Sequence, residues 1–183
     1  MPHSILAVLF DSGDTLVDEG TEIFDPGGVV IRADLIPGAG QLIGKLKRRG
    51  YRLGLVADGQ AASFRNVLGQ HGLYASFDVH AISELVGEMK PHPAIFRAAL
   101  DGLGIQPRDF SRVWMVGNNL ERDVKGANAL GLTSVWIDWA PRRSKVPADA
   151  SEQPRYTIHL PLELIPLMEQ IENTMGRLSA DET

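Results

Sequence analysis

Asp11 closes the apolar run Ile5-Leu6-Ala7-Val8-Leu9-Phe10 and opens the turn Ser12-Gly13-Asp14-Thr15-Leu16. A run of that length bounded by a Gly-containing turn reads as a buried strand. Asp11 therefore stands at a strand's carboxyl end, and in open parallel α/β sheets ligands bind in the crevice beyond those ends. A carboxylate held there can act as a nucleophile or ligate a metal ion. Asp58 and Asn118 each follow a further strand-like run, Arg52 to Ala57 and Val113 to Gly117.

The elements that must position these residues alternate along the chain. Strand-like runs span Ile5 to Phe10, Arg52 to Ala57, Phe77 to Ile82, Val113 to Gly117 and Thr133 to Ile137, with a further edge strand at Tyr156 to Leu160. Between them lie helical patterns at Gly38 to Arg49, Ala61 to His71, Pro93 to Leu103 and Leu120 to Leu130, and each is followed by a glycine, a helix-stop signal. Leu162 to Met175 reads as a closing helix and 176–183 as a polar, frayed tail. Strands alternating with helices predict a parallel sheet covered on both faces. The stretch 17–36 has no helical period and carries a turn at Pro26-Gly27-Gly28, so it reads as a short flap.

With 183 residues and 44% hydrophobic side chains, the chain suits one domain over 1–183. A net charge of -5 gives no footprint for nucleic acid or an anionic membrane surface. The basic groups Lys45 to Arg49 and Arg142 to Lys145 read as solvated faces. With no cysteine, disulfides, thiolate catalysis and Cys-type zinc sites are excluded, which fits a cytoplasmic setting. The amino terminus lacks the pattern of a signal peptide, and no apolar run approaches the ~18 residues of a membrane span.

Four segments at successive strand ends together resemble the haloacid dehalogenase superfamily. Phe10-Asp11-Ser12-Gly13-Asp14-Thr15-Leu16 is similar to the family's D-x-D-G-T-L, and Leu53 to Gly59 lies at the place of its strand ending in Thr/Ser-Asn. Gly87-Glu88-Met89-Lys90-Pro91-His92-Pro93 with Ile95-Phe96 is very like G-x-x-K-P-x-P-x-I-F. Val116-Gly117-Asn118-Asn119 through Asp123 to Ala127 resembles V-G-D-S-x-x-x-D-x-x-G-A. The resemblance implies a three-layer Rossmann-like α/β fold, with a short flap in place of a large cap and an open site. It also implies a Mg²⁺-dependent phosphatase working through an aspartyl-phosphate. Asp11 would be the nucleophile, Lys90 the phosphoryl clamp, and Asp11, the Gly13 carbonyl, Asn118 and Asp123 the metal ligands. Asp58, Gly59 and Lys90 would face the phosphate. The partner is then a phosphorylated small molecule or a larger phosphorylated substrate, and an open site leaves room for closure by a second subunit.

The chain departs from the family pattern at several of these positions. Gly13 has no side chain where the family's phosphatases carry a second Asp as general acid, a service typically worth ~10²–10⁴-fold. Asp14, displaced by one position, either caps the turn or reaches the site through an altered backbone. If it cannot donate a proton, acyl and aryl phosphates are favoured over alkyl esters. Ala57 lacks the usual hydroxyl, and Asp58 places a charge where an amide is usual, unless it caps the helix beginning near Gln60. Asn118 in place of Asp removes one negative charge from the metal site and weakens it. For Asp123 the alternative to a metal ligand is an ion pair with Arg122 or Lys90. The histidines have no metal-ligand spacing; His92 reads as a helix-start or entrance residue. Trp114 reads as sheet packing, and Trp139 as core or pocket wall. The substitutions keep a second function open, a catalytically weakened protein that binds a phosphorylated ligand or a protein partner.

Overall fold

The structure, a computed structural model, describes residues 4–181, with side chains described to 174. Strand β1 (Ala7–Phe10) is buried along its whole length, and its side chains alternate between two cores. Val8 and Phe10 enter one hydrophobic cluster, Ala7 and Leu9 the other. That period of two marks a strand covered on both faces.

After β1 the chain forms a small hairpin, β2 (Ile23–Phe24) and β3 (Val30–Arg32). The order then runs through α1 (Ala39–Arg48), β4 (Arg52–Ala57), α2 (Ala61–Gln70), β5 (Val79–Ile82), the short α3 (Ser83–Val86) and α4 (Pro93–Gly102). Beyond these come β6 (Val113–Gly117), α5 (Lys125–Ala129), β7 (Thr133–Ile137), β8 (Tyr156–Ile158) and α6 (Leu164–Asp181). Six strands make one parallel sheet in the order β5-β4-β1-β6-β7-β8. The chain order reverses beside β1, which has β4 on one side and β6 on the other. That switch point opens a crevice at the carboxyl end of β1, immediately before Asp11.

Helix α1 shows why the layers form. It buries Ala39, Leu42, Ile43 and Leu46 on one face and leaves its lysines outward; each large apolar side chain so buried contributes roughly 1.5–3 kcal/mol. Gly54, in mid-strand, leaves room for a neighbour: a Cβ there would stand 2.7 Å from Leu9 Cδ2. Gly50, Gly72, Gly104 and Gly131, read as helix stops, all adopt positive φ, where an L side chain is strained.

Three elements differ from the sequence reading. The segment read as a helix from Leu120 begins as a π-helical turn, Leu120–Val124, before α5. Helix α6 does not stop at Met175 but continues to Asp181, so most of the stretch read as a frayed tail is helical backbone; 182–183 lie outside the described residues. The basic run 142–145 is largely exposed, as read, but it is more than a solvated face. Arg142 and Arg143 reach back to carboxylates near the first motif.

The flap is the β2–β3 hairpin. Its turn is fixed by Asp25, whose Oδ1 accepts the Gly27 and Val29 N–H groups at 2.8 and 2.9 Å, and by Gly28 at φ 81°. The hairpin is held against α2 because the Val30 N–H donates to Ser63 Oγ (3.0 Å) and Asn66 Nδ2 donates to the Val30 carbonyl (3.1 Å).

Candidate active site

Leaving the sheet, Asp11 donates its backbone N–H to the Val116 carbonyl of the adjacent β6 (3.0 Å), which fixes the residue at the strand end. Its side chain is 14% exposed and lines a cavity of about 370 Å³ at the switch point. Lys90 Nζ donates to Asp11 Oδ1 at 2.7 Å and to the Val56 carbonyl at 2.9 Å. The same ammonium lies 2.7 Å from Asp123 Oδ1, and both Lys90 and Asp123 are buried. Burial opposes the charge on Lys90, but Asp11, Asp123 and Asp58 together outweigh it and hold its pKa above the usual lysine range. Burial pushes the Asp123 carboxyl upward, Lys90 opposing and Asp11 adding to the shift.

This hub depends on local backbone choices. Gly117 has no side chain because a Cβ there would overlap Asp123 Cγ and Oδ2. The π-helical turn carries Asp123 back over that glycine, and Asp123 Oδ2 accepts the Asn119 N–H at 2.9 Å. Asn119 Oδ1 caps the same turn by accepting the Arg122 N–H (3.1 Å). Asn118 is buried and lines the cavity, with Trp136 Nε1 donating to its backbone carbonyl (2.9 Å) and its amide Nδ2 unpartnered.

The structure thus brings Asp11, Gly13, Asp58, Gly59, Lys90, Asn118 and Asp123 to one cavity. Asp14 is not among the lining residues. Its side chain is fully buried in a two-pronged ion pair with Arg142, at 2.6 Å (Nε to Oδ2) and 2.9 Å (Nη2 to Oδ1). The reason is backbone handedness. Asp14 has φ 52°, a left-handed conformation that Asp tolerates better than most residues, and its carboxylate leaves the cleft for the arginine. The expectation that it acts as a catalytic carboxylate is corrected accordingly.

Two further expectations change in detail. Asp58 does not cap α2, whose N-cap Gln60 makes no side-chain cap bond. Its Oδ1 accepts the Lys90 backbone N–H (2.9 Å) and its Oδ2 lies 3.5 Å from Arg122. Asp58 therefore orients the lysine. Gly59, expected to face the phosphate, has its N–H engaged by Ser83 Oγ (2.9 Å), as the neighbouring Ala61 N–H is by Glu84 Oε2 (2.8 Å). His92 is the N-cap of α4, and Trp139 packs against the larger core cluster.

Sequence reasoning missed Glu19, Arg143 and Phe64, which line the cavity from the flap, the segment after β7, and α2. Glu19 opens a short 3₁₀ turn capped by Asp18. Its backbone N–H donates to Asp14 Oδ1 (3.2 Å), and Arg143 Nη2 donates to its Oε2 (3.0 Å). Burial and the nearby Asp14 push its carboxyl up to about 7, against Arg143. A glycine where an acid is usual, followed by an acid at the start of the flap, was the available signal.

Among the described residues no three His, Cys, Asp or Glu side chains cluster as a metal cage. The available donors are Asp11, the Gly13 carbonyl and the amide of Asn118, whose unpartnered nitrogen leaves the group free to turn its oxygen outward. An oxygen-only set suits a hard cation such as Mg²⁺. Asp123, expected as a ligand, has one oxygen on Lys90 and the other on the Asn119 N–H.

The sheet order, the strand-end Asp11 and the Lys90 hub define a haloacid-dehalogenase-type architecture. Residues 6–131 match the haloacid dehalogenase-like hydrolase family, and the chain belongs to that family. It is 30% identical over 141 residues to a glyceraldehyde 3-phosphate phosphatase of Pyrococcus furiosus, covering 77% of this chain and 56% of the relative. It is 37% identical over 107 residues to a phosphoserine phosphatase of Thermus thermophilus, covering 58% and 42%. The chain spans about half the length of the curated relatives it matches. A crystal structure of a HAD phosphatase from Thermococcus onnurineus superposes with a TM-score of 0.72 at 22% identity, covering 88% of this chain and 97% of that one, a likeness of fold. Among the described residues, no helix is long and apolar enough to cross a membrane.

Proposed function

We propose that the protein is a Mg²⁺-dependent phosphomonoesterase in which Asp11 accepts the phosphoryl group. The observation that carries this reading is the Asp11 carboxylate, fixed at the switch point by Lys90 at 2.7 Å and facing an open cavity. One Asp11 oxygen is held by Lys90. The other has only a long contact from Thr15 Oγ1, at 3.5 Å, and is the oxygen that attacks phosphorus. The ester oxygen departs with the bonding pair as the aspartyl-phosphate forms, and water then hydrolyses that acyl phosphate. Lys90 anchors the nucleophile and meets the negative charge of the transferring group, which fixed cations stabilise in such transfers. Asp11, the Gly13 carbonyl and Asn118 would hold Mg²⁺, whose chemistry is neutralisation of phosphoryl-oxygen charge. Two relatives, a glyceraldehyde 3-phosphate phosphatase and a phosphoserine phosphatase, support a small phosphorylated metabolite as substrate.

The test is a Mg²⁺-dependent screen of phosphate esters and acyl phosphates with Asp11→Asn as control. Loss of at least ~10³-fold in the control is expected for removal of a nucleophile. Activity retained by the control overturns the assignment.

A second reading, a weakened member that binds a phosphorylated ligand without turnover, draws on Ala57 and the neutral Asn118. Calorimetric binding of phosphate esters by a protein that turns none of them over would favour it.

A further inference from the structure

Gly13 has an ordinary backbone conformation, so nothing in its φ demands glycine. What a side chain at this position would meet is Glu19, which would have to swing aside to admit it. A Cβ at position 13 would overlap Glu19 Oε1 and stand 2.8 and 2.9 Å from its Cδ and Cγ. A flap carboxyl therefore fills the volume that a residue-13 side chain would occupy, on the cavity wall that includes Asp11. The group is held from both ends. Asp14 accepts its backbone N–H, and Arg143 donates to Oε2, which leaves Oε1 as the oxygen lying over Gly13.

We propose that Glu19 donates the proton to the departing ester oxygen, taking up from the flap the duty that no side chain at position 13 can perform. The proposal rests on the phosphomonoesterase reading. Of the other cavity carboxylates, Asp11 and Asp123 bind Lys90, Asp58 binds the Lys90 N–H and faces Arg122, and Glu22 lines the wall but is not among the atoms nearest to Gly13. As Asp11 attacks, the phosphorus–ester bond breaks, and the ester oxygen takes the bonding pair and the Glu19 Oε1 proton, leaving as neutral alcohol. In the second half Glu19 takes a proton from the water that attacks phosphorus. Inorganic phosphate leaves and both carboxyl groups return to their starting states. Alkyl esters, poor leaving groups without a proton, then become substrates despite Gly13.

The experiment compares an alkyl phosphate, glycerol 2-phosphate, with p-nitrophenyl phosphate, whose leaving group needs little protonation. In Glu19→Gln the alkyl-to-aryl ratio of kcat/KM should fall by about 10²-fold, the low end for a lost general acid. Replacing Glu19 by Ala opens the space over Gly13, and adding Gly13→Asp should raise that ratio at least tenfold above Glu19→Ala alone. Thermal melting of each variant checks that it is folded. A proportional fall on both esters makes Glu19 a binding or packing residue and overturns the proposal. So does an unchanged ratio, or a selective alkyl loss in Glu22→Gln instead. If the parent shows no Asp11-dependent turnover of either ester, the phosphatase reading itself fails and this inference falls with it.

Discussion

Two clusters of carboxylates and cations, one buried and one half-exposed, flank the same cleft. Around Lys90, two carboxylates converge on one ammonium whose side chain is 2% exposed, and its partners lie in the last residues of a strand (Val56 of β4) or just beyond a strand's end. Around Arg142 and Arg143, two neighbouring guanidinium groups hold Asp14, Asp18 and Glu19, and both cations come from the irregular segment after β7. The first is fixed by the sheet, whereas the second is fixed by loops that meet across more than a hundred residues of chain. The contrast gives them different places: the sheet-borne hub fixes Asp11 at the cavity, and the loop-borne one shapes the wall above it.

The difference can be broken most forcefully at Lys90. In Lys90→Met, Asp11 and Asp123 would face each other with no cation, and removal of one partner from a buried pair typically costs about 3–5 kcal/mol. Urea unfolding should show a loss of that size together with loss of turnover. A variant within about 1 kcal/mol of the parent, below the usual cost of stranding a buried charge, would mean that the hub is not a stabilising pair.

Arg142→Ala comes next. Asp14 is fully buried while the Arg142 side chain is 38% exposed, so water replaces part of the lost interaction and about 2–3 kcal/mol is expected. Adding Asp14→Gly should recover most of it, because the stranded charge is gone and φ 52° suits glycine. Failure of the double variant to recover would place the cost elsewhere.

Asn118→Asp returns a negative charge to the cation site. Mg²⁺ titration should show roughly tenfold tighter binding, about 1.4 kcal/mol, and no gain would remove Asn118 from the donor set.

The smallest effect is at an exposed reference pair. Asp78 Oδ1 accepts from Lys47 (2.8 Å) and its Oδ2 accepts the Leu53 N–H (2.7 Å). Against the upward push of burial, these bonds hold its carboxyl below the ordinary value. A carboxyl lowered in the folded state contributes stability above the unfolded pKa and loses it as pH falls through the folded one. Asp78→Asn should therefore cost only about 0.5–1 kcal/mol at pH 7. The difference should vanish at the acid end, as unfolding midpoints across pH will read.

The same contrast explains what was legible in the sequence. Asp11 and Asn118 follow apolar strands, so periodicity locates them, whereas Lys90 and Asp123 are located by the resemblance of their segments to the family's motifs. Even the π-helical turn that swings Asp123 onto Lys90 leaves a trace in Gly117, where only a hydrogen fits. Asp14 was visible as a displaced carboxylate, but its direction was not, because a positive φ is set by the whole turn and its distant arginine. Glu19 and Arg143 were hidden for a related reason. Neither lies on a periodic element, and their meeting depends on two irregular segments whose approach no local pattern encodes.

The part of the chain matching the family stops at residue 131, short of Arg142 and Arg143. A chain that lost only these two arginines would retain every hallmark residue yet leave an uncompensated anion at Asp14 and Glu19 without its guanidinium partner. Inheritance of the recognisable sequence is thus not inheritance of the working cleft: an apparently nondescript crossing from β7 to β8 acts as its counterweight, and drift there would silence a descendant whose diagnostic positions all look intact.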